Sequence, residues 1–83
     1  PEFAAACRAY RDAVGWPADS ELLGLFLDSG ERDLVVGALE AILANLEAGS
    51  LELPKGLLGQ IQSLAGDFDS AIADVAEEIL ERR

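Results

Sequence analysis

Apolar residues recur every three or four positions along the whole chain, a spacing typical of amphipathic α-helices and not of β-strands. Four glycines, Gly15, Gly30, Gly49 and Gly66, each come directly after one of these periodic segments. Glycine at that position easily adopts the left-handed backbone conformation that ends many helices. The pattern therefore predicts an all-α fold, with five helices separated by short turns and no strand.

Each predicted helix carries apolar residues that should pack on one shared core. These residues are Phe3, Cys7, Tyr10 and Val14 in the first helix, Leu22, Leu23, Phe26 and Leu27 in the second, Val35, Leu39, Ile42, Leu43 and Leu46 in the third, Leu57, Leu58, Ile61 and Leu64 in the fourth, and Ile72, Val75, Ala76, Ile79 and Leu80 in the fifth. We expect the aromatic residues, Trp16 and Phe68 included, to belong to the same core. The alternative is that the first helix is the least firmly held element and presents an apolar groove near Trp16. The predicted architecture is a compact five-helix domain over residues 1–83, made of a leading helix and two helical hairpins.

Residues suited to helix ends and helix contacts support this division. Asp19 or Ser20 can cap the second helix, and Pro54 suits the first position of the fourth helix after the extended link "SLEL". The third helix is predicted to run from about Arg32 to Ala48. Four glycines lie inside helices, where each costs up to about 1 kcal/mol relative to alanine, and we expect them to let helices approach closely. They are Gly24, Gly37, Gly56 and Gly59.

Two segments of the chain resemble each other as pairs of helices. The segment "LLGLFLDSGERDLVVGALEAIL" aligns with "LLGQIQSLAGDFDSAIADVAEEIL" after two one-residue insertions. The offset grows from 35 residues (Leu22 to Leu57) to 37 residues (Leu43 to Leu80). Both segments begin with Leu-Leu-Gly, turn at a glycine and end with Glu-x-Ile-Leu. A repeat of this length in paired helices is typical of α-solenoids.

The second helix of each pair resembles HEAT-type repeats, in which an acidic turn precedes a helix with Val, Ala and Leu on its inner face, as in "DFDSAIADVAEEIL". The resemblance covers residues 20–83, without the proline and the Asp/Arg ladder of stronger HEAT sequences. It implies a scaffold that binds protein through a helical face and has no chemistry of its own. The alternative is a compact bundle whose amphipathic helices are alike by chance.

The charge of the chain limits the partners it can bind. Sixteen acidic residues against six basic ones give a net charge of −10, spread evenly along the sequence. Such a surface disfavours nucleic acid and anionic membranes, so we expect a protein partner with a basic surface and binding that weakens with salt. We predict the binding face on the outer surface of the third and fifth helices. Its residues are Glu40, Glu47, Asp74, Glu77, Glu78 and Glu81.

Two other functions fit parts of the sequence. Asp28-Ser29 followed by an apolar run resembles the phosphopantetheine attachment motif of acyl and peptidyl carrier proteins, which are also small, acidic and helical. That resemblance implies modification at Ser29, although Gly30 stands where the family has Leu or Met. The third possibility is an acidic mimic of nucleic acid that inhibits a basic target.

The stretch "GDFDSAIADVAEE" places carboxylates where a calcium-binding EF-hand loop has ligands. Asp67, Asp69 and Glu78 stand at the first, third and twelfth positions. The sixth position, which needs glycine for a sharp turn, is Ile72, and the fifth and ninth are apolar as well. We therefore interpret the aspartates, with Ser70, as a turn that caps the fifth helix, and we expect no metal site.

Residues for other catalytic chemistry are scarce. The chain has no histidine, one cysteine (Cys7) and one lysine (Lys55), which excludes Cys–His and Ser–His pairs and a structural zinc site within it. We expect no enzymatic activity and no cofactor. A single cysteine excludes an internal disulfide and is typical of a reducing compartment.

The sequence also carries expectations about location and extent. No apolar run approaches the roughly 20 residues of a membrane span, and the opening "PEFAAACRAY" lacks the basic region of a signal peptide. We therefore predict a cytoplasmic location. Because the chain contains no methionine, we expect it to be a fragment of a larger protein.

Overall fold

The computed structural model describes residues 2–17, 19–49 and 53–82. These residues form α1 (Glu2–Val14), α2 (Ser20–Leu27), α3 (Arg32–Glu47), α4 (Lys55–Leu64) and α5 (Ser70–Arg82). Within the described ranges there is no strand, so the predicted all-α fold of five helices is confirmed. Most of the link "SLEL" lies outside the described residues.

All five helices contribute to one core of buried side chains. The stripes predicted for α2 to α5 supply most of it, and Leu34 and Ala38 are fully buried as well, although they lie outside the predicted stripe of α3. Because α3 packs against α1, α2 and α5 together, it buries more than one side. The buried apolar residues are Ala4, Cys7, Leu23, Phe26, Leu27, Leu34, Val35, Ala38, Leu39, Ile42, Leu57, Ile61, Ile72, Ala76 and Ile79.

The first helix packs differently from its predicted stripe. Of the α1 side chains whose burial the structure describes, only Ala4 and Cys7 are buried, whereas Phe3 and Tyr10 are partly exposed and Val14 is 66% exposed. Because α1 meets the core along a line of small side chains, its larger apolar residues lie beside that line and stay in contact with water. The prediction for α1 is therefore correct at Cys7 and wrong at the other three positions.

The second helices of the two hairpins, α3 and α5, lie side by side and run parallel. At their N-terminal ends the guanidinium of Arg32 donates to the carboxylate of Asp69. At their C-terminal ends Arg82 Nη1 lies 3.5 Å from Glu47 Oε2. Because one contact joins the two N-terminal ends and the other joins the two C-terminal ends, the helices run in the same direction.

The first helices of the hairpins, α2 and α4, are parallel too. Gln60 in α4 donates from Nε2 to the Gly24 carbonyl oxygen of α2 at 3.0 Å. Ser20 and Pro54, at the two N-terminal ends, line one cleft, and the C-terminal ends meet at a second one. The hairpin α4–α5 therefore lies beside the hairpin α2–α3 in the same orientation.

The helix ends follow the predictions, with one exception. Gly15, Gly30 and Gly49 have positive φ angles of 86°, 76° and 72°. Gly66 does not: the Gly66 and Asp67 amides donate to the Ser63 and Leu64 carbonyl oxygens at 3.2 and 3.0 Å, so α4 ends in two successive i→i−3 turns without a left-handed residue. The left-handed conformation predicted at Gly66 is therefore wrong.

The predicted caps are also largely present. Asp19 caps α2, because its Oδ1 accepts from the Glu21 amide at 2.8 Å. Pro54 occupies the N-cap of α4 and not the first helical position. Its φ of −66° and ψ of 158° place it just outside the helix, where its missing N–H is no loss.

Two of the four glycines inside helices allow a close approach. A Cβ added to Gly37 would overlap Cζ2 of the Trp16 indole, and one added to Gly24 would lie 2.9 Å from Oε1 of Gln60. Gly56 and Gly59 have no such neighbour within 4 Å. The packing explanation is therefore correct for Gly24 and Gly37 and wrong for the two glycines of α4.

Candidate protein-interaction surface

The polar sides of α3 and α5 form one outer layer of the molecule. Leu39 and Ile42 of α3 and Ile72 and Ile79 of α5 are buried in the same core, so the opposite sides of these parallel, adjacent helices face outward together. All six residues predicted for the binding face are exposed on this layer. We call this set the acidic face: Glu40, Glu47, Asp74, Glu77, Glu78 and Glu81.

Arg82 is the cation that contacts the acidic face. Its guanidinium lies 3.3 Å from Glu78 Oε1 and 3.5 Å from Glu47 Oε2, at the ends of α5 and α3. The other members form no ion pair with any residue that the structure describes. Glu77 and Glu81 are one helical turn apart, a spacing at which like charges repel each other. The acidic face therefore retains most of its negative charge.

Apolar side chains accompany the acidic face on α3. Val36 and Leu43 stand one turn before and after Glu40, which places all three on one side of the helix. Both are half-buried and pack against the core. A partner that lies along α3 would meet carboxylates together with some apolar surface.

Arg–Asp contacts join α1 to α3, and α3 to the turn before α5, at another edge of the molecule. Arg8 of α1 donates to both carboxylate oxygens of Asp33 in α3, at 2.7 and 3.3 Å, and Arg11 adds a contact of 3.5 Å. The Arg8 guanidinium lowers the pKa of Asp33 and has its own pKa raised by the same hydrogen bonds. Arg32 in turn lowers the pKa of Asp69. Sequence reasoning missed these pairs, because the partners are 22 to 37 residues apart.

Aromatic residues line a groove between α1 and α2. Its cavity volume is 160 Å³. The rings of Tyr10 and Phe26 meet edge to face with centroids 6.2 Å apart, and Trp16 meets Phe26 in the same way at 5.8 Å. We call it the α1–α2 groove, lined by Phe3, Ala6, Cys7, Tyr10, Leu22, Leu25 and Phe26.

The expectation that the aromatic residues form core is wrong except for Phe26. Phe3, Tyr10 and Trp16 are each more than a third exposed, and Phe68 is fully exposed. The Trp16 ring packs against Gly37, and the Arg11 guanidinium lies 5.7 Å from its ring centroid. Trp16 therefore covers α3 at the surface and does not fill the interior. Phe68 lies in the turn before α5, where no helix covers it.

A cleft with a volume of 530 Å³ lies between α2 and α4. Gly24 and Gly56 line this cleft, and neither has a side chain that could occupy it. Glu21 and Asp28 stand on its α2 wall, and Asp28 Oδ1 accepts from Gln60 Nε2 at 2.9 Å. No local sequence signal indicates this cleft, because it depends on the neighbouring positions of α2 and α4.

The acidic turn before α5 acts as the predicted cap. Asp67 Oδ1 accepts from the Asp69 amide at 2.8 Å, and Asp69 Oδ1 accepts from the Ala71 amide at 2.9 Å. Glu78 is paired with Arg82 instead, so the structure does not bring the three carboxylates of the supposed calcium loop together. Among the described residues, no group of three or more acidic or thiol side chains is placed to hold a metal ion.

Ser29 lies in a turn and Cys7 is buried. The Ser29 hydroxyl accepts from the Glu31 amide at 3.3 Å in the turn between α2 and α3, so it lies before the helix start that a carrier-type serine occupies. Intact mass after treatment with a phosphopantetheinyl transferase tests that resemblance. Burial raises the pKa of the Cys7 thiol, which keeps it protonated and unreactive.

No family model, no curated protein sequence and no solved structure matches this chain. Of the helices that the structure describes, none combines the length and the apolar character needed to cross a membrane.

Proposed function

We propose that this domain is a non-enzymatic protein-interaction module that binds a basic partner on its acidic face. The observation that carries the proposal is the placement of six exposed carboxylates on one layer built from two parallel helices. These residues come from two segments of the chain. Among the residues that the structure describes, Arg82 is the cation that pairs with them. Lysine and arginine side chains of a partner would relieve the repulsion within α5 and speed the encounter.

The apolar residues beside Glu40 indicate which kind of basic partner would fit the acidic face. Val36 and Leu43 offer partly exposed apolar area on either side of Glu40. An amphipathic helix with an apolar stripe flanked by Lys and Arg matches this arrangement, and helices in grooves are a recurrent mode of recognition. The proposed partner is therefore a basic amphipathic helix of another protein.

The arrangement of the hairpins supports a HEAT-like assembly role. In a simple up-and-down bundle, neighbouring helices run antiparallel. Here α3 lies parallel to α5 and α2 lies parallel to α4, as in stacked helical hairpins. A cytoplasmic location is part of the proposal, because the single thiol, Cys7, has no other cysteine to pair with.

A titration with a designed basic peptide tests the proposal. The probe is an amphipathic helix of Leu and Lys, and its control is a peptide of the same composition with the apolar periodicity scrambled. We expect chemical-shift changes in ¹⁵N–¹H spectra to concentrate on α3 and α5 for the helical probe. Affinity should fall as salt is raised. Shifts spread evenly over all acidic residues would contradict a defined binding face.

Two variants of equal charge locate the surface. The triple variant Glu40→Gln, Glu77→Gln, Glu81→Gln should weaken probe binding about tenfold, since each exposed charge pair contributes roughly 0.5 kcal/mol. Its control is the variant in which Asp12→Asn, Glu21→Gln and Asp28→Asn remove three exposed charges from α1, α2 and the turn that follows it. Equal losses in both variants would show that net charge alone attracts the probe.

A further inference from the structure

Arg82 occupies part of the acidic face in the free domain. Its Nη2 donates to Glu78 Oε1 at 3.3 Å, one turn earlier on α5, and its Nη1 lies 3.5 Å from Glu47 Oε2 at the end of α3. One guanidinium therefore contacts both of the helices that form the face. This contact within the chain has the same chemistry as the contact that a partner's arginine would make there.

The contact of Arg82 is loose compared with that between Arg8 and Asp33. Arg8 donates to both oxygens of one carboxylate, and the shorter of these hydrogen bonds is 2.7 Å. Arg82 instead reaches one oxygen of each of two carboxylates, at distances above the roughly 2.7–2.9 Å typical of charge-assisted hydrogen bonds. The side chains of Arg82, Glu47 and Glu78 are about half exposed. Because exposed pairs of this kind contribute little to stability, Arg82 can leave without disturbing the fold.

A cation that approaches Glu47 and Glu78 from a partner meets the positive charge of Arg82, and like charges repel each other. We propose that Arg82 is an internal competitor of the basic partner, which covers these two carboxylates in the free domain and is displaced when the partner binds. The contact is therefore autoinhibitory. This inference rests on the proposed function and describes how that same site is regulated.

The strength of the two contacts sets the size of the effect. The apparent dissociation constant of a ligand is its intrinsic value divided by the fraction of molecules that are competent to bind. Each exposed ion pair favours the closed position of Arg82 by roughly a factor of two. Two such pairs leave about one molecule in five with Arg82 released, so removing the arginine should strengthen binding about fivefold.

The test compares two variants that each remove one positive charge. Arg82→Gln frees Glu47 and Glu78, whereas Lys55→Gln removes an exposed cation of α4 for which the described part of the chain supplies no ion pair. We expect the helical peptide of Leu and Lys to bind Arg82→Gln about fivefold more tightly than wild type, and Lys55→Gln less than about twofold more tightly. Isothermal titration calorimetry at low salt measures both. Equal gains in the two variants would overturn the inference, because net charge would then explain them.

A second measurement uses the wild-type protein. As the peptide is added, the ¹⁵N–¹H signal of Arg82 Nε should move toward its position in the variant Glu47→Gln, Glu78→Gln, in which the contact is weakened. The Nε signal of Arg8, which donates to Asp33, is the control and should stay in place. An Arg82 signal that does not move while the peptide binds would overturn this inference alone. A peptide that binds neither wild type nor Arg82→Gln would contradict the proposed function as well.

Discussion

The leading helix α1 and the paired hairpins α2–α5 have similar amphipathic sequences but are held in different ways. The hairpins share a core in which Leu23, Leu39, Ile61 and Ile79 are completely buried. α1 buries only small side chains and is tied to α3 by exposed hydrogen bonds to Asp33. Apolar burial stabilises far more than surface ion pairs do. Periodicity therefore predicts that a helix forms, but not how firmly it is attached.

The largest effect should come from the shared core of the hairpins. Leu39→Ala removes a fully buried side chain of α3 and should lower the free energy of unfolding by about 3 kcal/mol, through lost burial and a cavity. Val14→Ala in α1, which was predicted to be inward but is exposed, should change it by less than about 0.5 kcal/mol. Chemical denaturation of both variants measures the difference. Similar losses would show that Val14 belongs to the core after all.

A second comparison concerns glycines inside helices. Gly37→Ala places a methyl group against the Trp16 ring and should cost about 2 kcal/mol through overpacking. The fluorescence of the single tryptophan should shift to the red as the ring is displaced into water. The control is Gly59→Ala, which meets open space and should stabilise α4 by roughly 0.5 to 1 kcal/mol. A stable Gly37→Ala variant with unchanged fluorescence would contradict the close approach.

The attachment of α1 can be measured through Cys7. Because the thiol is buried and its pKa is raised, it should react with a disulfide reagent mainly when α1 opens. Asp33→Asn removes the negative charge and one of the two oxygens that accept from Arg8 and Arg11. It should speed labelling several-fold while the global unfolding transition changes little. Asp12→Asn, an exposed aspartate on α1 itself, is the control. Identical labelling rates would show that the Arg–Asp contacts do not hold α1 in place.

The smallest effect should be the loss of stability in acid that comes from the contact between Arg8 and Asp33. Hydrogen bonds from Arg8 lower the pKa of Asp33 in the folded protein, so the unfolded chain binds the proton more readily. The contribution of Asp33 to stability is therefore complete at neutral pH and is lost as the pH falls through the folded pKa, below about pH 4. Thermal melts from pH 3 to pH 7 should show a smaller acid dependence in Asp33→Asn than in wild type. Arg32 lowers the pKa of Asp69 in the same way, so Asp69 accounts for part of the acid dependence that remains in the variant.

Local chemistry explains which predictions succeeded. The caps at Asp19 and Asp69 and the left-handed glycines at 15, 30 and 49 depend on a few adjacent residues, so the sequence alone indicates them. Gly66 was mispredicted because a glycine permits a left-handed turn without requiring it. The tighter turn that ends α4 satisfies the same backbone groups in another way.

Sequence analysis predicted both the exposure of each carboxylate in the candidate binding face and their grouping on the third and fifth helices, but only the exposure follows from a local pattern. Exposed positions such as Glu40 and Glu77 follow from helical periodicity, because they lie opposite the buried stripe. That they share one layer depends on the parallel packing of α3 and α5. A groove at the first helix was the alternative to an aromatic core, but its position between α1 and α2 and the exposure of Phe68 were not predicted, since an aromatic residue is commonly buried.

By itself, the sequence determined the five helices, most of their ends, the inward stripes of the hairpins and an acidic exterior, because hydrophobic periodicity and capping act over a few residues. Only the tertiary structure decided that the hairpins lie parallel, that Arg8 reaches Asp33 and Arg32 reaches Asp69, and that aromatic side chains border a groove. These features join residues far apart in the chain. Their positions depend on how the helices pack together, and no local pattern encodes that.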